Sequence, residues 1–237
     1  MVSAIYNHFI ASLLLLLVSK AIVLSQELEP LTYTNAPVGM HVLAVGTGYT
    51  EGAVLPDPSV PLEDAFVKTN ASLLAYVQTL DLWGKSGRFG LVLPYATLDG
   101  SGIFFGEAAE RKFSGFADPL MKFQINFIGA PALKLRDFMA YKQDTIVGFR
   151  FTTIAPWGQY DPDKLANIGT NRWSFKPEIG ISKAIENWTL ELSQAAKFFT
   201  DNDNFFGGQH REQAVFHATR AHVIYHFNRT RWLNYLF

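Results

Sequence analysis

Seven charged side chains occupy alternate positions of segments that read as β-strands, and they are the residues best placed to act on a solute. They are Lys122, Arg150, Lys176, Glu178, Glu191, Lys197 and Arg220. Alternate positions of a strand share one face of the sheet, so a barrel would direct these charges into its lumen. There they would either line a pore and select solutes or pair across strands and fill the interior. The sequence leaves both interpretations open.

A calcium loop is suggested by Asp201, Asp203 and Glu212, which match positions 1, 3 and 12 of that motif. Phe205 and Phe206 stand at positions 5 and 6, where an oxygen ligand and a glycine are required. The pattern therefore favours an exposed polar loop without a metal.

A serine-based catalytic site also has candidate members, because Ser193, Glu191 and His222 are predicted to face inward. No sequence motif connects them. His222 and His226 share a face but lie about 13 Å apart on an extended strand, too far to hold one metal ion. The sequence therefore predicts no enzymatic activity, no metal and no cofactor.

The elements that must position these residues show a period of two. Residues 172–183 alternate between an apolar row that contains Trp173 and Ile179 and a polar row that contains Ser174 and Glu178. Residues 121–127 repeat the pattern. Segments of about ten residues with an aromatic-rich apolar face are typical of outer-membrane barrels, which are apolar outside and polar inside. We therefore predict an all-β fold, an antiparallel transmembrane β-barrel with a polar lumen.

The same alternation, interrupted by Gly and Pro, divides the chain into about eight strands and a partial ninth, Trp232–Phe237. The eight are His41–Thr50, Leu73–Leu82, Arg88–Thr97, Pro119–Ile128, Thr145–Ala155, 172–183, Trp188–Phe199 and Gln213–Phe227. Glu51–Ser72 and Leu98–Asp118 are predicted loops, and Ala130–Asp144, between strands four and five, is predicted to contain one short helix. Long and short connections alternate through most of the chain, as they do in bacterial barrels.

Composition is compatible with this architecture. The chain has 237 residues, no Cys and a formal net charge of −1, which gives no support for nucleic-acid binding. Residues 1–25 resemble a secretory signal peptide, with a leucine-rich apolar stretch and small residues before Gln26. Residues 26–237 are then the barrel domain, located in the bacterial outer membrane.

Several stretches resemble the outer-membrane proteins grouped as the putative MetA-pathway of phenol degradation family. The most specific is the run from Gly158 to Gly180, and the others are 93–95, 115–119, 129–133, 198–203, 205–208 and 211–213. The resemblance implies an outer-membrane barrel and, more loosely, a transport role, and it carries no catalytic motif. It also implies further strands after Trp232, so we expect a truncated member with an open or strained seam between His41–Thr50 and Gln213–Phe227.

The predicted function is an outer-membrane channel or uptake protein for small compounds, with aromatic or apolar ones as candidates. The alternative is a closed barrel with a structural or binding role and no open transport path. The expected partners are membrane lipid, an unidentified small-molecule solute and the barrel-assembly machinery.

Overall fold

The computed structural model describes residues 29–54, 62–228 and 231–236. The predicted signal peptide, residues 1–25, lies outside them. Over the described residues, no helix combines the length and the apolar character needed to cross a membrane.

Twelve strands are described, ten of them in one antiparallel sheet. They are β1 His41–Ala53, β2 Leu62–Leu82, β3 Lys85–Phe104, β4 Glu107–Phe116, β5 Leu120–Ile128, β6 Thr145–Ile154, β7 Ser174–Ile185, β8 Trp188–Phe199, β9 Asn202–Phe205, β10 Gln209–Arg211, β11 Phe216–His226 and β12 Trp232–Leu236. The helices are α1, Leu135–Phe138, and a 3₁₀ turn, Phe206–Gly208. Strands β9 and β10 form a separate hairpin.

The main sheet runs in the order β1-β2-β3-β5-β6-β7-β8-β11-β12 and curls into a partial barrel. Strand β4 pairs with the distal half of β3, and β5 pairs with its proximal half. The two therefore act as one long strand that is interrupted at 117–119, where Pro119 cannot donate a ladder hydrogen bond. We call the end with the turns at 83–84 and 186–187 the short-turn end. The opposite end, with segment 156–171 and the β9–β10 hairpin, is the long-loop end.

Burial along the strands is the reverse of that in a soluble protein. In β8, Leu190 and Leu192 are 42% and 52% exposed, whereas Thr189 and Glu191 are 4% and 5% exposed. Apolar side chains thus cover the outer face, and polar side chains are packed on the inner face. This inversion is the arrangement of an outer-membrane barrel, and it confirms the predicted fold class.

All eight predicted strands and the partial ninth are present, but two predicted loops are wrong. Within Glu51–Ser72, strand β1 continues to Ala53 and β2 begins at Leu62. Leu98–Asp118 contains the distal half of β3 and all of β4, joined by a two-residue turn. In that turn Phe105 and Gly106 both have positive φ, as a tight antiparallel hairpin favours. Strands β2 and β3 have 21 and 20 residues, about twice the length that crosses a bilayer.

The predicted helix within Ala130–Asp144 is limited to one turn, Leu135–Phe138. Strand β8 begins and ends where the sequence predicts, at Trp188 and Phe199. The turn between β2 and β3 is shorter than predicted, because the strands reach Leu82 and Lys85.

The sheet remains open across the described residues. Strand β11 pairs with β8 and β12, and no ladder in the described part of the chain joins β1 to β11 or β12. This agrees with the predicted seam, and truncation of the chain stays a prediction.

Four tryptophans mark the two ends of the sheet. Trp83 and Trp188 lie at the short-turn end, and Trp83 is 90% exposed. Trp157 and Trp173 lie at the long-loop end with ring centroids 6.0 Å apart. Amphipathic rings at both ends suit the two interfaces of a bilayer.

The inverted burial generates a test with two matched arginine substitutions. Ile179→Arg places a charge on the apolar outer face at mid-strand and should cost roughly 2–4 kcal/mol of unfolding free energy in lipid vesicles. Ala218→Arg places the same group on the inner face and should cost clearly less. Denaturant titration of the vesicle-folded protein measures both. Equal costs would contradict the assignment of faces.

Candidate functional site

The seven charged residues singled out in the sequence lie on the inner face of the sheet, on strands β5, β6, β7, β8 and β11. Arg150, Glu178, Glu191 and Arg220 are at most 5% exposed. The three lysines, at 122, 176 and 197, are partly exposed and lie nearer the long-loop end. Whether any of them lines a solute path stays a prediction.

Glu178 is the centre of the buried charges. Its carboxylate accepts hydrogen bonds from Arg150 and Arg220, with Arg150 Nη2 at 3.0 Å from Oε1. Tyr33 donates its hydroxyl to Glu178 Oε1 at 2.7 Å. Burial and the adjacent carboxylate raise the pKa of Tyr33, so its phenol stays protonated and remains a donor. These contacts join β6, β7 and β11 through one carboxylate.

The segment before β1, residues 29–40, lies on the inner face. Glu29 pairs with Lys122 and with Arg150, and Glu191 Oε2 accepts the backbone N–H of Leu31 at 2.8 Å. Gln124 donates to the carbonyl of Thr32 at 2.9 Å. Five of the seven predicted residues therefore belong to the network that holds this segment. The sequence of this segment shows no period of two, so it gave no indication of where the segment packs.

Two paired glycines make room for the ring of Tyr33. Gly148 on β6 lies opposite Gly180 on β7. A Cβ at Gly148 would lie 2.7 Å from Tyr33 Cδ1, and one at Gly180 would lie 2.1 Å from Tyr33 Cε2. Both distances are far below van der Waals contact, so only glycine allows the ring to reach Glu178.

The candidate catalytic residues Ser193, Glu191 and His222 lie on the inner face, but they do not contact one another as a catalytic site would require. Register sets Ser193 opposite Arg220 and Glu191 opposite His222. His222 Nδ1 bonds Asn234 Oδ1 at 3.1 Å. Within the described residues, His222 Nε2 has no hydrogen-bond partner, so His222 and Ser193 form no nucleophile–base pair.

At the long-loop end, buried Asp118 anchors segment 156–171. Its Oδ1 accepts the N–H of Gly158 at 2.8 Å, and its Oδ2 accepts both the N–H and the hydroxyl of Thr170 at 2.7 Å. A Cβ at Gly158 would lie 2.7 Å from the Asp118 backbone nitrogen. The runs around 115–119 and 158–180 that carry the family resemblance are thus one structural unit.

A second buried amide extends this anchor to the β9–β10 hairpin. Asn202 is 2% exposed, and its Oδ1 accepts from Asn171 Nδ2 at 2.9 Å and from the N–H of Asn204 at 3.1 Å. Its Nδ2 donates to the Tyr160 hydroxyl at 3.0 Å. The base of the hairpin is therefore fixed against the loop.

Between this loop and the distal halves of β2, β3 and β4 lies an apolar cavity of about 330 Å³. Its apolar lining includes Val67, Leu98, Phe104, Phe113, Leu165 and Phe206. Arg111 closes one side, where its Nη1 donates to the carbonyl of Ala166 at 2.7 Å. No sequence pattern indicated this cavity, because about half of its lining lies in Leu98–Asp118, a segment predicted to be a loop.

Two of the residues that match the calcium-loop pattern, Asp203 and Glu212, instead contact His210 in the β9–β10 hairpin region. Asp203 Oδ1 lies 2.7 Å from His210 Nδ1, and Glu212 Oε1 lies 3.1 Å from His210 Nε2. Ligand atoms of Asp201, His210 and Glu212 lie within 4.8 Å of one another. The hydrogen bonds to Glu212 and Asp203 raise the pKa of His210.

Comparison with known proteins agrees with this fold. The model of the family described as "Putative MetA-pathway of phenol degradation" matches residues 47–233, and the chain belongs to that family. The fold is similar to the crystal structure of an outer membrane channel from Pseudomonas putida F1, with a TM-score of 0.65 and 21% identity. The match covers 88% of this chain and 74% of that one. No curated protein sequence matches the chain.

The space that Gly148 and Gly180 leave for the Tyr33 ring, here called the glycine slot, allows a test of how the N-terminal segment is held. Gly180→Ala should expel the Tyr33 ring and break its bond to Glu178, which is worth about 1.5–3 kcal/mol for a charged acceptor. Proteolysis within residues 29–40 should then accelerate by roughly tenfold or more. Gly48→Ala is the control, because a Cβ at Gly48 meets nothing within 4 Å. An unchanged cleavage rate for Gly180→Ala would show that the slot does not hold the segment.

The His210 cluster generates a pH prediction. Since its folded pKa is raised, His210 should stabilise the hairpin fully below its unfolded pKa of about 6.5. That contribution should disappear as the pH rises through the higher folded value. An NMR titration should give a His210 pKa above that of the same residue in an unfolded peptide, and Glu212→Gln should lower it. A folded pKa at or below the peptide value would refute the cluster.

Proposed function

We propose that this chain inserts into a bacterial outer membrane and passes small apolar or aromatic compounds across it. The observation that carries the proposal is the combination of an inverted sheet with an apolar cavity at its long-loop end. The apolar outer face would contact lipid, and insertion would use the barrel-assembly machinery that such sheets require. Family membership and the fold support a transporter-like role without catalysis.

The solute class follows from the cavity. Its volume of about 330 Å³ falls within the range of small-molecule sites, and apolar cavities of about 150 Å³ already accept benzene. The cavity is walled by strands that are about twice as long as a bilayer requires. It would therefore collect apolar molecules at the membrane surface, before the lumen.

A barrel that has a structural or binding role and no open transport path is the second candidate. It is supported by the N-terminal segment, because Tyr33 and its partner Glu178 fill the middle of the inner face. Single-channel recording separates the two candidates. A channel should give conductance steps in planar bilayers, whereas a barrel without an open transport path should give none.

Entry of an apolar dye tests the proposed solute class. Cells that express the chain should admit N-phenylnaphthylamine, an apolar aromatic dye that fluoresces inside bilayers, several times faster than control cells. Leu165→Glu should slow entry, because a carboxylate in the cavity opposes apolar binding. Leu135→Glu, at the short-turn end, is the matched control and should have no effect.

Two outcomes would contradict the proposal. One is equal dye entry with and without the chain while the protein fractionates with the outer membrane and migrates heat-modifiably on gels. The other is recovery of the folded protein as a soluble monomer without detergent.

A further inference from the structure

Three cationic side chains near Phe199 and the β9–β10 hairpin lie over aromatic rings. Arg172 Cζ lies 4.7 Å from the ring centroid of Phe199, and Lys197 Nζ lies 5.2 Å from the same centroid. Arg211 Cζ lies 4.8 Å from the ring centroid of Phe205. Two cations thus share one ring, and a third lies on the adjacent hairpin.

Arg172 carries a buried donor without an acceptor. Its Nη2 donates to Gln213 Oε1, but its Nη1 is buried and bonds no acceptor within the described part of the chain. An unmet buried N–H destabilises a structure. Burial and the positive charge of Arg211 also lower the pKa of Arg172, so the surroundings disfavour this cation as they stand. A bound anion would satisfy the donor and offset the like charges.

Two carboxylates of the hairpin region contact His210. Asp203 and Glu212 hold the two ring nitrogens of His210. The Arg211 guanidinium lies instead over the Phe205 ring.

An exposed aromatic ring lies beside these cations. Phe216 is 51% exposed, and register sets it opposite Lys197 on the inner face. The ring is therefore available next to a positive charge. A ligand that combines a flat apolar ring with a carboxylate matches both groups.

We propose that Arg172, Lys197 and Arg211 form a binding site for the carboxylate of small aromatic acids, whose ring packs against Phe216. The inference rests on the proposed function, because it names a solute class for the same long-loop end. The planar guanidinium of Arg172 can present two N–H groups to one carboxylate.

Binding to the purified, detergent-folded full chain tests the proposal. Isothermal titration with benzoate should show affinity at least about tenfold higher than that for benzamide, its neutral analogue, or for acetate, which lacks the ring. Arg172→Gln should weaken benzoate binding by about tenfold or more. The benzoate affinity of Arg172→Lys should lie between those of the unaltered chain and Arg172→Gln, because lysine keeps the charge but lacks the planar guanidinium.

Two further variants test whether the loss of benzoate binding is specific to the proposed site. Arg136→Gln removes the same charge from α1 at the short-turn end and should leave benzoate binding unchanged. Arg211→Gln alters an exposed residue, so it should fold even if Arg172→Gln does not, and it should also weaken binding. Equal affinity for benzoate and benzamide would overturn the site. Full benzoate affinity in Arg211→Gln and in any folded Arg172→Gln protein would also overturn it.

Failure of this inference is distinguishable from failure of the proposed function. Entry of the neutral dye depends on the apolar cavity, so Arg172→Gln should leave it unchanged. Dye entry without selective benzoate binding would refute the anion site alone. Selective benzoate binding without dye entry would refute the proposed apolar transport alone.

Discussion

The buried carboxylate of Glu178 is the interaction on which the rest of the structure depends. Two guanidinium groups and the Tyr33 hydroxyl surround it, so charges that would be costly to desolvate are paired and hydrogen bonded. Removal of one member would leave a buried charge uncompensated, which typically costs about 3–5 kcal/mol. Because its partners come from β6, β11 and the N-terminal segment, Glu178 fixes both the curvature of the sheet and the position of that segment.

This polar interior dictates where small residues must occur. A sheet whose inner face carries arginine and glutamate has little free space, and a docked segment needs a gap between strands. Gly148 and Gly180 provide that gap for Tyr33. The outer face has no such constraint, since lipid adapts to any apolar shape, and there the chain uses large residues such as Ile179 and Leu192.

Sequence reasoning succeeded where alternation was imposed by the two environments of a barrel wall. Strand β8 was predicted residue for residue because Leu190 and Glu191 meet opposite environments. It failed for Leu98–Asp118, where glycines suggested a loop. Those residues extend beyond the length that a bilayer requires, so no lipid imposes an apolar row on them. The role of Asp118 was equally hidden, because its partners Gly158 and Thr170 are some forty to fifty residues away along the chain.

The seven predicted charges divide by location, and the division bears on where selection can occur. Lys122, Arg150, Glu178, Glu191 and Arg220 take part in contacts that hold the N-terminal segment, so a solute would have to break the fold to use them. Lys176 and Lys197 lie nearer the long-loop end, and Lys197 lies beside Phe199 and the exposed Phe216. Most of the charges that hold the N-terminal segment are thus set apart from the long-loop end, where the proposed solute site lies. If solutes are selected at the long-loop end, as proposed, residues there can change without loss of the buried network around Glu178 that maintains the fold.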